Sequence, residues 1–229
     1  MKTKTAQAVP VLMYHWFYDL ENGVAPNDMS RNWISAQEFE AQMRFLHDNG
    51  YYYPSWQELR SWLDGKTELP EKSVVLTDDD AYETFFSIAL PILQNYAVPF
   101  TSFVPTALDA NKPQLIRAYE IEPFLTFQSH SDALHAHWDI CLEKSVTELE
   151  EDIIRSVAHI GNYEAFAYPF GQHTREYRQA LRQNGFLLAF TTVEGSVRRG
   201  MDPYALPRVR MNKGMTVADF ARALGSGGQ

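Results

Sequence analysis

The chain has 229 residues, of which 45% are hydrophobic and 14% aromatic, enough for one large domain or two small ones with a sizeable core, and wholesale disorder is excluded. Twenty Lys and Arg against 29 Asp and Glu leave a net charge of −9, the wrong sign for a nucleic-acid-binding or polybasic membrane-surface protein. The single cysteine, Cys141, excludes an intrachain disulfide framework and a thiolate-rich zinc site, so a metal here would have to use His and carboxylates.

In chain order, residues 1–8 read as a flexible N-terminus with no apolar stretch of signal-peptide length. No run of about 18 apolar residues follows anywhere, so no transmembrane segment is expected. Val9 to Tyr14 is the first strand candidate, followed at once by His15 and the aromatics Trp16, Phe17 and Tyr18. Ser35-Ala36-Gln37-Glu38 is a capping box, and Phe39, Met43 and Leu46 then recur at helical spacing until Asn49-Gly50 supplies a left-handed stop. Ser73 to Thr77 is an apolar strand candidate running into Asp78-Asp79-Asp80. Thr101 to Val104 and Phe124 to Phe127 are two more, the latter leading through Gln128-Ser129 to His130 and, five residues on, His135. Ser145 and Glu148 open a second capped helix, with Leu149, Ile153, Val157 and Ile160 on one face before Gly161. Ala165 to Tyr168 ends in Pro169-Phe170-Gly171, and a third helix runs from about Thr174 to Asn184, stopping at Gly185. Leu187 to Thr191 and Leu206 to Met211 complete the strand candidates, and Gly225-Ser226-Gly227-Gly228-Gln229 reads as a flexible tail.

No Pro-, Gly- or Ser-rich linker divides residues 9–224, which are therefore expected to form a single domain. Continuous rather than alternating apolar runs suit strands buried on both faces, as in a parallel sheet covered by helices. Alternating strands and helices at this length fit an α/β fold: a distorted or incomplete (β/α) barrel of about seven strands.

In such folds chemistry collects at the C-terminal ends of the strands. Three adjacent carboxylates at Asp78-Asp79-Asp80 repel one another unless a cation joins them, although an acidic turn capping the next helix explains them equally well. His130 and His135 cannot share one helical face at a spacing of five. They converge only if His130 lies in a loop and His135 on the first turn beyond it, with Ser131 or Asp132 as the cap. His137 competes as a partner. Joined to a strand-end aspartate, two histidines make a facial set for Zn²⁺ or a similar ion, with positions open to water and substrate. The turn at Pro169-Phe170-Gly171 is either plain loop punctuation or a device that aims a backbone N–H into the site. The aromatic stretches at residues 14–18 and 51–53 could stack on sugar rings, but large aromatics more often fill cores.

These motifs, in this order, resemble the polysaccharide deacetylases of carbohydrate esterase family 4, which share the NodB homology domain. The likeness runs from Val9 to about Met211 and is greatest to the branch that de-N-acetylates poly-β-1,6-N-acetylglucosamine in bacterial biofilms. Pro10-Val11-Leu12-Met13-Tyr14-His15 is similar to that branch's N-terminal motif and implies that His15 is the general acid. Thr77 to Ala81 lines up with T-F-D-D-G, implying Asp79 as general base and Asp80 as metal ligand. Ser129-His130-Ser131 through His135 is similar to the branch's S-H-[ST] motif and implies two further metal ligands. Ala167-Tyr168-Pro169-Phe170-Gly171 resembles R-x-P-Y-G and puts Phe170 and Tyr168 on the oxyanion and substrate side. Leu206-Pro207-Arg208-Val209 is similar to a late L-P-R motif in which Arg208 would orient the base. Three positions depart from the pattern: Asp78 for Phe, Ala81 for Gly and Ala167 for Arg.

The resemblance implies a metal-dependent hydrolase that removes N-acetyl groups from N-acetylglucosamine-containing polysaccharide and releases acetate. Zn²⁺ is the expected cation, with Co²⁺ or Ni²⁺ possible at the same ligands. The implied setting is extracytoplasmic, at a secreted or cell-surface polymer. The departures keep two other readings open: a glycan-binding protein of the same fold with impaired turnover, or a metal-dependent hydrolase of another bond in which Asp78 recruits a second ion.

Overall fold

A computed structural model describes residues 4–107, 112–119 and 122–225 of the chain. Every apolar run read as a strand forms one, and the order of elements alternates as expected. β1 (Val11–Tyr14) leads into a short pair, β2 (Trp16–Tyr18) and β3 (Trp33–Ser35), then α1 (Ala36–Asp48) and α2 (Trp56–Leu63). β4 (Val75–Asp79) is followed by a π-helical turn at Phe85–Ala89 that runs into α3 (Leu90–Tyr96). β5 (Phe100–Val104), α4 (Lys112–Tyr119), β6 (Leu125–Ser129), α5 (Val146–Ile160) and β7 (Ala165–Ala167) come next. The chain ends with α6 (Arg175–Gln183), β8 (Leu188–Glu194), β9 (Leu206–Arg210) and α7 (Val217–Ala223).

Seven of these strands form a closed parallel ring in the order β1-β4-β5-β6-β7-β8-β9, while β2 and β3 pair separately beyond the end of β1. Closure makes the barrel complete with seven strands, and the distortion is local. β6 and β7 share one paired position, Ser129 with Phe166, β1 and β9 share two, and the β8–β9 register shifts between Phe190 and Glu194.

The local signals act as their chemistry requires. Ser35 and Ser145 cap α1 and α5 in reciprocal boxes with Glu38 and Glu148, satisfying amide groups that the first helical turn leaves open. Gly161 ends α5 at φ 83°, a left-handed stop that a side chain would strain.

Strand alternation sorts the core into an inside and an outside. Val11, Val75, Phe103, Ala165, Leu188, Phe190 and Leu206 point into the barrel, and Trp56 of α2 seals its base, 5.4 Å from Phe190 between ring centres. Leu12, Tyr14, Leu76 and Phe100 point outward against α1 and α3. Phe166 and Ala189 pack outward under α5 and α6. The upper barrel interior is therefore left to Thr77, Asp79 and Arg208, all buried.

Several features escaped the sequence reading. α2, α4, α7 and the π-helical turn were not foreseen. Part of the stretch expected to be flexible is tied down: Ala6 is buried and donates to Leu69 O at 2.9 Å, and Thr5 bridges Pro70. Residues 1–3 and 226–229 of the two expected flexible ends lie outside the described residues. No helix among the described residues is long and apolar enough to cross a membrane.

Candidate metal centre

Asp79 is the last residue of β4 and faces inward with Thr77 and Val75. Asp78 therefore points the other way, on the face that carries Leu76, and is paired in register with Tyr14 and Ser102. Strand alternation thus sends the Asp78 side chain to the face opposite Asp79, so the three adjacent carboxylates do not share one space. Asp80 would follow Asp78 outward if the strand continued. Instead its backbone turns to φ 80°, and Ala81 follows at φ 46°, so the Asp80 carboxylate swings back over the barrel mouth. Both are non-glycine residues in the left-handed region, a conformation that stores strain.

There Asp80 meets the histidines. Its Oδ1 lies 3.2 Å from His135 Nε2 and 3.8 Å from His130 Nε2, and one ligand atom from each of the three residues falls within 4.8 Å of the others. His130 sits just beyond β6, where Ser131 takes φ 72° to turn the chain. Its Nδ1 is 2.7 Å from Ala167 O. A carbonyl only accepts, so the proton resides on Nδ1 and the Nε2 lone pair faces Asp80, the tautomer a cation requires. Burial is the dominant influence on this imidazole and lowers its pKa to about 4, against the opposing pull of Asp79 and with the neighbouring His135 adding to the fall. Two imidazoles and a carboxylate, each turned towards a common point, fit a divalent ion of Zn²⁺ type. The donor set passes that chemical test.

His135 does not start a helix, contrary to expectation. Residues 131–144 form turns until Ser145 caps α5, and neither Ser131 nor Asp132 caps a helix. The loop is instead pinned by Asp152 of α5, a buried carboxylate that accepts the N–H groups of Asp132 and Ala133 at 2.9 Å each. Asp132 in turn accepts from Thr106 Oγ1 and Arg155 Nε. His137, the competing partner, is exposed and paired with Asp139 at 2.5 Å, outside the group.

Arg208, buried on β9, donates Nη1 to Asp79 Oδ1 and Nη2 to Oδ2, both at 2.6 Å. Its Nη1 also donates to Thr77 Oγ1, and Nε to Thr191 O. Burial alone would raise the Asp79 pKa, but the Arg208 guanidinium, with His130 and His15 contributing, holds it far below the usual carboxylate range. His15 follows β1, the strand between those of Asp79 and Arg208, and its Nε2 lies 4.0 Å from Asp79 Oδ2. Burial lowers the His15 pKa, offset in part by Asp79 and Asp80.

Phe170 takes φ 54° and its ring stacks on His135 with centres 4.6 Å apart. The hydrogen bonds that close this turn, Gly171 N to Tyr168 O and Gln172 N to Pro169 O, leave the Phe170 N–H out. Gly171 takes φ 77°, and a Cβ there would collide with Thr192. Tyr168 is not brought into the site. Its side chain is buried among Phe166 and Tyr177, and its hydroxyl donates to Tyr204 O, so its place on the substrate side is corrected to a core position.

The geometry thus joins His15, Asp79, Asp80, His130, His135, Phe170 and Arg208 at one end of the barrel and leaves out Asp78, Tyr168 and His137. Asp152 was missed. The available signal was a carboxylate on the apolar side of α5, adjacent to Ile153.

A family model described as polysaccharide deacetylase matches residues 66–189. The poly-beta-1,6-N-acetyl-D-glucosamine N-deacetylase of Staphylococcus epidermidis is 28% identical over 195 residues, covering 77% of this chain and 67% of that protein. The structure of IcaB from Ammonifex degensii superposes with a TM-score of 0.76 at 27% identity, covering 97% of this chain and 98% of that one. The Streptococcus pyogenes deacetylase PplD, solved in complex with acetate, shares the fold at a TM-score of 0.81 and 23% identity, covering 96% and 99% of the two chains. With its barrel, its aspartate–histidine cluster and the matched stretch from residue 66 to 189, the chain belongs to the polysaccharide deacetylase family.

Proposed function

We propose that residues 9–224 form a catalytic unit that hydrolyses the acetamide of N-acetylglucosamine units in a polysaccharide, releasing acetate and leaving a free amine. The observation that carries this reading is the meeting of Asp80, His130 and His135 within 4.8 Å, beside a buried Asp79. Those three residues would hold a divalent cation, Zn²⁺ first and Co²⁺ or Ni²⁺ as alternatives. When bound, such a cation supplies Lewis acidity and lowers the pKa of water towards about 7.

The chain's own groups supply the rest. Asp79, kept ionised by Arg208, accepts a proton from the attacking water through a lone pair that the guanidinium leaves open. Arg208 fixes the direction of that carboxylate. The Phe170 N–H, left out of the hydrogen bonds that close its turn, would donate to the developing oxyanion. His15, 4.0 Å from Asp79, delivers a proton to the departing amine. The location that goes with this substrate is extracytoplasmic, at a secreted or cell-surface polymer.

One observation favours a second reading, glycan binding with impaired turnover: Ala81 holds φ 46°, where the family motif has Gly. Acetate release from short β-1,6 and β-1,4 N-acetylglucosamine oligomers, with added Zn²⁺, separates the two. Hydrolysis that falls on the order of 10²–10⁴-fold in Asp79→Ala while the metal stays bound supports the first reading. Oligomer binding without acetate release supports the second.

A further inference from the structure

The mouth of the barrel is lined on one side by an aromatic ledge that the proposed chemistry does not use. His15 is followed by Trp16, with ring centres 5.9 Å apart. Trp16 pairs in register with Trp33 across β2 and β3, their rings 5.5 Å apart, and both lean on Tyr82, at 6.5 and 6.4 Å. Trp33 is the foundation: it is buried, and its Nε1 donates to Asp28 at 2.8 Å. Tyr82 is the free end, 40% exposed and only two residues beyond Asp80. Tyr82 O accepts from Phe85 N at the start of the π-helical turn, which fixes its backbone.

Three large aromatics packed edge to face and tilted against one another beside the metal centre form a rigid surface with little conformational entropy to lose on binding. The faces of a β-linked N-acetylglucosamine ring are apolar, because its substituents lie at the equator. We infer that Tyr82, backed by Trp16 and Trp33, is a stacking platform for a sugar ring adjoining the one whose acetamide is hydrolysed. The inference rests on the deacetylase reading for the kind of polymer, and it adds a preference for oligomers over the single sugar. Binding energy from a ring that does not react is a recognised means of orienting the one that does.

The test is calorimetric binding of N-acetylglucosamine and of its β-1,6-linked pentamer to the full chain stripped of metal, so that no turnover intervenes. Wild type should bind the pentamer more tightly than the single sugar. Tyr82→Ala should weaken pentamer binding about fivefold or more while shifting the single sugar less than about twofold, and Tyr82→Phe, which keeps the ring, should behave as wild type. Equal affinity of wild type for the two ligands, equal loss for both in Tyr82→Ala, no loss for either, or a Phe variant that matches Ala would each overturn the platform. Acetate release is assayed separately on the metal-loaded wild type. A wild type that binds as expected yet releases none would overturn the deacetylase reading and leave the platform standing.

Discussion

The guanidinium of Arg208 meets both carboxylate oxygens of Asp79 in a two-pronged pair, each contact 2.6 Å, across two barrel strands that β1 separates. Both partners are buried, so each depends on the other for solvation. Arg208→Met is expected to lower stability by about 3–5 kcal/mol, because it leaves a buried carboxylate alone. Adding Asp79→Asn to Arg208→Met should recover a large part of that loss. Urea denaturation of the two single variants and the double variant measures the coupling, and additive losses would deny it.

Asp152 never touches the proposed ligands, yet it holds the loop between His130 and His135 through two backbone N–H groups. Asp152→Ala is expected to weaken metal affinity about 10–100-fold, the usual consequence of losing a group that orients ligands. Competition with a chelator of known affinity measures it. Asp152→Asn, which can still accept one of the two hydrogen bonds, should fall between.

Ala81 carries a left-handed backbone at φ 46° that glycine adopts freely. Ala81→Gly should therefore be neutral or stabilising by up to about 1 kcal/mol, the relief of strain being partly offset by the greater freedom of the unfolded chain. Combined with Asp78→Phe it tests impaired turnover: a large rise in acetate release favours a weakened site, and no change favours one already competent. Asp78 faces away from Asp79, so most of any gain should come from position 81.

The metal-free protein should be sensitive to mild acid. An unfolded histidine titrates near about 6.5, whereas burial, despite the pull of Asp79, holds His130 at about 4 in the fold. Between those values the unfolded chain binds the extra proton, so stability rises with pH through this window and is lost as pH falls from about 6.5 to about 4. The loss is on the order of 2–3 kcal/mol. His15, also lowered, acts in the same direction. Asp79, with its depressed pKa, begins to withdraw its own contribution only below about pH 4. Denaturation in chelator across pH 4 to 7 should show the slope, and His130→Asn should flatten it.

Much of this was legible because it is written locally. Ser35 with Glu38 and Ser145 with Glu148 announce their helices, and short, mainly apolar runs announce the seven barrel strands. The proposed ligands were legible as a motif, but their meeting was not, since it depends on left-handed turns at Asp80 and Ser131 that no side chain there advertises. Asp78 sits next to Asp79 in the sequence but away from it in the fold, because adjacency along a strand means opposite faces in space. Tyr168 was misjudged for a similar reason: the motif places it beside Phe170, while the end of β7 directs its ring into the core under α6. Asp152 was hidden because its role consists of backbone hydrogen bonds to a loop some twenty residues earlier.

The most direct measurement is the metal content of the purified full chain after Zn²⁺ loading and removal of excess. Wild type, Asp79→Asn and His137→Ala should each retain one ion per chain, and Asp80→Ala and His135→Ala should retain essentially none. Loss of the ion in His137→Ala but not in His135→Ala, or equal content in all five proteins, would contradict the assignment of Asp80, His130 and His135 as the shell around the cation.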